Sequence, residues 1–453
     1  MSSNTGFNPY ENFNDPFMAK DPFISREAGH LTKLSLLAGA GLLAFALFRY
    51  VASLALAASG VLDESSFSLN AVVSILMTVL GVYVPLTIIH HFYPPQDKEL
   101  CYNLDLPGSK RAFLLALGAG TMLCFLGNYI TAGFTGFVSS FDIEFAALEL
   151  DPPANVGQFL LFVLQASIIP ALVEEVAIRG IVMPPLRKYG DRFAIVMSAI
   201  IFALMHGNMQ QIPFAFVAGL VLGYFALSTG SVWTSIAIHA ATNFVSVLAT
   251  VSAETFAGPF LFYGLTVALI AAGIYCTRQY IKEPHESLGL TFAPKSERRF
   301  MLVSFMVFMF MSFVYSTYSG DRTAPYILTS VLLIFCVRRY LKANKRYLNP
   351  LPVSSLNLKT KVALYCSTPT VVTGIILLAT TTLQSITVTS TRGYVFLYAA
   401  LMLLLVWVLY MVYKILNSKI IENKSIYKKT IIVLIGVFVV SMISSFVSNL
   451  LMY

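Results

Sequence analysis

Residues 157–183 read GQFLLFVLQASIIPALVEEVAIRGIVM. The run carries no charge until Glu174, then places Glu174, Glu175 and Arg179 close together. It is longer than the roughly 20 apolar residues needed to cross a hydrocarbon core. It also lacks the amphipathic stripe by which a soluble helix hides one face. A membrane-spanning helix is the reading that fits both properties. Charged side chains at such depth cost about 2.5–3.5 kcal/mol each on insertion scales and mark functional positions by default.

Comparable apolar runs recur outward from this one, near 34–57, 69–92, 112–135, 193–208, 211–228, 231–250, 257–277, 300–319, 324–340, 362–386, 394–416 and 430–452. The chain is 57% hydrophobic and 11% charged, far below the roughly 25% charge of a soluble domain. The fold class expected is therefore all-α, a polytopic membrane bundle of about thirteen transmembrane helices. The first span begins after a long polar stretch, which favours a retained anchor over a cleaved leader.

The charge of +8 could suggest a nucleic-acid partner, but its placement is a topology signal. With the N-terminus inside, the basic residues of 20–33, 98–111, 187–192, 278–299, 338–361 and 414–429 all face the cytoplasm. Only Arg322 and Arg392 fall on the opposite side, and only Arg49 and Arg179 within spans. Lys/Arg bias in short loops sets orientation, so the expected topology is N-in and C-out. Five scattered cysteines without CxxC spacing indicate neither a disulfide framework nor a cysteine metal site. The domain reading is a cytoplasmic tail (1–30), a transmembrane core with eight helices (31–277), a cytoplasmic linker (278–299) and a transmembrane extension of unassigned role (300–453).

Within the core, few ionisable groups lie at membrane depth: Glu174, Glu175 and Arg179, then His206, then His239 beside Asn243. At about 1.5 Å rise per residue, Glu174 lies about 20 Å from Arg187, His206 about 21 Å from Arg192, and His239 about 12 Å from Ser231. These depths let the side chains meet in one polar chamber. Glu175 and Arg179, four apart, share a face and can pair. Glu174 points about 100° away and can face a cavity. Pro170, four residues earlier, removes a backbone hydrogen bond and predicts a kink. Phe202 sits one turn before His206, placed to pack beneath its ring.

A carboxylate and a histidine can together deprotonate a water for peptide hydrolysis. A second histidine and an amide can donate to the developing oxyanion. The roles that follow are Glu174 as general base, His206 as its partner on the water, and His239 with Asn243 on the oxyanion. Glu175 and Arg179 are placed to form an ion pair beside them. Each residue alone has a plainer explanation as an interhelical hydrogen bond or salt bridge. A zinc ion held by Glu174, His206 and His239 is the alternative chemistry, although no HExxH is present.

The three motifs, Glu174-Glu175-Val176-Ala177-Ile178-Arg179, Phe202-Ala203-Leu204-Met205-His206 and His239-Ala240-Ala241-Thr242-Asn243, have the form EExxxR, FxxxH and HxxxN. In that order, residues 166–244 resemble the core of the CPBP (CAAX-processing and bacteriocin-processing, Abi) intramembrane proteases, relatives of the type II CAAX prenyl protease. Ile178 departs from the Phe that relatives often carry there. The resemblance implies a catalytic centre at Glu174, His206, His239 and Asn243 with Glu175 and Arg179 in support, an activity cutting membrane-associated or lipidated peptides, and a bacterial plasma membrane. It leaves metal dependence open, with the metal-free carboxylate mechanism favoured. A transporter and a non-proteolytic immunity or scaffold protein are the competing classes, and no internal repeat favours the former. Oligomeric state is not legible.

Overall fold

The computed structural model describes residues 22–60, 66–102, 104–141, 143–145, 152–207, 210–253 and 257–283, together with Lys361, Tyr365 and 386–388. The described part is mostly helical. In chain order it comprises α1 (Pro22–Ser59), α2 (Phe67–His91), α3 (Pro95–Lys98), α4 (Lys110–Ser139), β1 (Ile143–Phe145) and α5 (Val156–Tyr189). Then follow α6 (Asp191–Met205), α7 (Ile212–Ser228), α8 (Val232–Ala253), α9 (Gly258–Tyr280) and β2 (Ile386–Val388). Six helices are long and apolar enough to cross a membrane: Lys33–Leu56 within α1, then α2, α4, α5, α8, and Phe260–Tyr280 within α9. The chain is an integral, multi-pass membrane protein. The spans expected after residue 299 lie outside the described residues, apart from a few isolated positions.

Two expected spans of the core are shorter than a bilayer. The helix at 193–208 stops at Met205, giving α6 15 residues, and α7 has 17. Gly207 takes φ +62° directly after His206 and turns the chain out of the helix, a conformation that glycine adopts without steric cost. From Phe193 to Met205, α6 is buried at every position but Val196. A helix enclosed by protein need not match the thickness of the lipid.

Local chemistry explains the remaining ends. Ser109 caps α4 by accepting the Ala112 N–H at 3.1 Å, and Asn155 caps α5 by accepting the Gln158 N–H at 2.9 Å, as their side chains favour. Three widened π turns interrupt the long helices, at Val79–Tyr83, Leu164–Ile168 and Ile178–Val182. Each ends two residues before a proline: Pro85, Pro170 and Pro184. A proline removes one N–H from the ladder, and a π turn is one way to accommodate the loss. What Pro170 produces is thus a widened turn within a continuous α5.

Helices pack where glycines let them approach. A Cβ on Gly219 of α7 would lie 2.9 Å from both Cα and Cβ of Ala199 on α6, while Gly223, one turn on, meets Ile195. This is the close contact expected of small residues four apart. Gly219→Ala therefore collides with backbone, which cannot move aside. The variant is expected to lose about 1–3 kcal/mol of stability, visible as a lower unfolding temperature in detergent. Gly180→Ala meets only Val176 Cγ1 at 3.8 Å and should melt like the parent.

One end of the bundle is tied by buried polar contacts. His30 on α1 bonds Tyr189 Oη at 2.5 Å through Nδ1 and Asp97 Oδ2 at 2.8 Å through Nε2. Lys188 donates to Asp97 Oδ1 at 2.5 Å, and Asp97 is fully buried. Burial alone would push the Asp97 carboxyl up, but the hydrogen bonds and charges of His30 and Lys188 outweigh it and hold the carboxyl below its ordinary value. The stability this contributes is complete above the ordinary carboxylate pKa, about 4, and is lost as pH falls through the depressed folded value. Lys361 reaches the same end, donating to the Tyr189 carbonyl at 2.7 Å, and Tyr365 packs edge-on against Phe193. Elsewhere β2 pairs antiparallel with β1, Glu144 opposite Thr387. This short ribbon departs from the all-α expectation and ties the extension to the core.

Candidate active site

The regular stretch of α5 between its last two π turns, Ile169–Ala177, carries Glu174 and Glu175, and the second π turn carries Arg179. Glu175 and Arg179 are both fully buried, with Arg179 Nη1 donating to Glu175 Oε1 at 2.9 Å. Arg179 Nη2 donates to the Gly219 carbonyl at 2.9 Å, which the close approach of α6 and α7 brings within reach. Its guanidinium carbon lies 4.7 Å over the Phe202 ring. One planar cation thus joins α5, α6 and α7, a use for which the guanidinium fork is suited.

Phe202 is the hinge point of the constellation. Its ring meets His206 edge to face at 5.0 Å and 77°, and His239 at 5.5 Å and 86°. His206 caps the end of α6 and donates from Nδ1 to the Phe202 carbonyl at 2.9 Å. A carbonyl can only accept, so Nδ1 carries a proton, and in its neutral form the ring presents a bare Nε2. His239, on α8, donates from Nδ1 to Glu175 Oε1 at 3.1 Å. One residue on, the Ala240 carbonyl accepts from Ser167 in the first π turn of α5, at 2.7 Å.

The structure therefore brings together Glu175, Arg179, Phe202, His206 and His239 through direct contacts. Glu174 is half-buried beside them, and its charge acts on both His206 and Arg179. Its carboxylate makes no hydrogen bond among the described residues, unlike that of Glu175. Asn243 is half-buried one turn beyond His239, and its amide likewise has no hydrogen-bond partner among the described residues. The sequence did not reveal that Glu175 serves both Arg179 and His239, that Arg179 reaches Gly219, or that Ser167 pins α5 to α8. It also gave no sign that the charge of Arg49 on α1 acts on His206. Among the described residues, no three His, Cys, Asp or Glu side chains form a group that could hold a metal ion.

A polytopic helical bundle with buried carboxylates and imidazoles from three helices defines a membrane protein with a built polar centre. Residues 156–245, about a fifth of the chain, match the sequence model of the family described as type II CAAX prenyl endopeptidase Rce1-like. This segment, which contains every residue of the site just described except Arg49, is similar to the CAAX protease family. No curated protein and no solved structure matches the chain.

Proposed function

We propose that the protein is an intramembrane endopeptidase that hydrolyses peptide bonds of membrane-associated or lipidated peptides with a water activated by Glu174 and His206. The observation that carries this reading is the division of labour between the two adjacent carboxylates. Glu175 is fully buried and its Oε1 accepts from both Arg179 and His239, while Glu174 is half-buried near His206 and makes no hydrogen bond among the described residues. A general base must be accessible and uncommitted, and Glu174 is both.

In the proposed reaction, a water lies between Glu174 and the bare Nε2 of His206. Glu174 takes its proton as the oxygen attacks the peptide carbonyl carbon. His239 in its doubly protonated form, with Asn243, donates to the resulting oxyanion. The C–N bond then breaks, and the proton held by Glu174 passes to the leaving amine. Such acid–base help is worth about 10²–10⁴-fold, and each oxyanion donor about 10²–10³-fold. The basic ends gathered near His30, Lys98 and Lys188 support an N-in orientation by the positive-inside tendency. About thirteen spans with the C-terminus outside, in a bacterial plasma membrane, remain part of the same reading.

The test uses the full chain in proteoliposomes with a lipidated peptide, in water enriched in heavy oxygen. The expected result is a cut peptide carrying the label in its new carboxyl group, with His206→Ala slower by about 10²–10⁴-fold. A chelator should leave the rate unchanged. Peptide left intact, or solute flux that depends on Glu174 without any peptide product, would sink the proposal in favour of a transporter.

A further inference from the structure

The connection between α2 and α4 is more than a loop. Pro184 and Pro185 have no N–H, so the carbonyls of Gly180 and Ile181, one and two residues after Arg179, lose their normal partners in the helix. Residue 102 supplies a replacement for one of them. The Tyr102 N–H donates to the Gly180 carbonyl at 2.8 Å, while the Cys101 thiol lies 3.2 Å from the Asp97 carbonyl and 3.7 Å from the Ile181 carbonyl. Tyr102 holds φ +56° to do so, a conformation that costs a non-glycine residue of order 1–3 kcal/mol. Just beyond, the Leu104 carbonyl accepts from Trp233 Nε1 at 2.9 Å and the Asp105 carbonyl from Ser231 Oγ at 2.6 Å. Ser231 and Trp233 stand at the start of α8, two turns before His239. At the near end, Asp97 is locked to His30 and Lys188.

We propose that Asp97–Asp105 is a positioning strap for the active site, fixing the distance between the carboxylates of α5 and His239 of α8. This rests on the hydrolytic reading above. The strap lies outside the family-matching segment and touches no reacting atom in the proposed reaction, so it acts through the helices it joins. Displacement of a catalytic group by about 1 Å can cost on the order of 10²-fold in rate, and four contacts on two helix ends oppose such a slip.

Cys101 reports on the strap directly. It is buried, and burial, with the nearby Asp97 charge, pushes its thiol up to about 12, so it should alkylate slowly at neutral pH. The experiment compares the parent, Ser231→Ala, Ser231→Ala with Trp233→Phe, and Ser231→Thr, all in full-length protein in proteoliposomes. Cleavage of the lipidated peptide and maleimide labelling of Cys101, read by peptide mass spectrometry, are measured together. The double variant should show faster Cys101 labelling and a kcat lower by about 10–100-fold, with KM within about twofold. Ser231→Ala should shift the same way by less, and it carries the test if the double variant does not accumulate. Ser231→Thr, which keeps the hydroxyl, should restore both readings. Faster labelling with parental kcat would overturn the strap's role, as would a raised KM at parental kcat or labelling that does not change. Glu174→Gln runs alongside: loss of cleavage without faster Cys101 labelling isolates the strap from the base. Retained cleavage in Glu174→Gln would instead remove the hydrolytic reading, and the strap proposal with it.

Discussion

On the proposed mechanism, Glu174→Gln is expected to lower kcat for peptide cleavage by about 10²–10⁴-fold, the range for loss of a general base, while the protein folds and melts as the parent. The amide keeps the size of the carboxylate and loses only its capacity to take a proton. Because Glu174 makes no hydrogen bond among the described residues, no partner is orphaned by the change. The neighbouring Glu175→Gln should behave differently. It replaces one partner of a buried cation, so the loss there should appear in folding as well as in rate. Steady-state kinetics and thermal unfolding on both variants separate the two carboxylates. A Glu174→Gln protein with parental kcat would end the base assignment, and equal melting losses in both variants would end the division of labour between them.

Arg179→Met should be the most destabilising single change in the core. Removing one partner from a fully buried ion pair leaves the other charge uncompensated, typically at a cost of 3–5 kcal/mol. Here the guanidinium also satisfies the Gly219 carbonyl and covers the Phe202 ring. His239 keeps its hydrogen bond to Glu175, so part of the loss is recoverable. The expected readout is a large fall in unfolding temperature in detergent, or failure to accumulate in the membrane. Arg179→Lys should recover little, because an ammonium cannot serve Glu175, Gly219 and the aromatic face from one planar group. A parental unfolding temperature in Arg179→Met would show that Glu175 is held by something else.

Much of the site was legible in the chain. Glu175 and Arg179 pair because four residues is one helical turn, and Phe202 packs on His206 for the same reason. Those are consequences of helix period, which local sequence dictates. That both imidazoles belong to one centre was an inference from depth and from the family resemblance, and their shared contact with Phe202 turns it into geometry. The pairing of His239 with Glu175 was not legible, since it depends on how α5 and α8 face each other. The runs read at 193–208 and 211–228 lie close to α6 and α7, but hydropathy alone did not show that helices of 15 and 17 residues are shorter than a bilayer span. An apolar residue in a buried short helix reads the same as one in a span. Asn243, expected beside His239 at the oxyanion, shares its helix face but takes no partner among the described residues.

From sequence alone came everything set by local rules: apolar runs long enough for a bilayer, the i,i+4 pairings, and the prolines that must strip hydrogen bonds from α5. Tertiary structure alone decided which groups answer those losses. The bare carbonyls behind Arg179 are a local fact, but Tyr102, nearly eighty residues earlier, satisfies one of them. Helix period acts over four residues, whereas partner choice between helices depends on packing distances that no local pattern encodes.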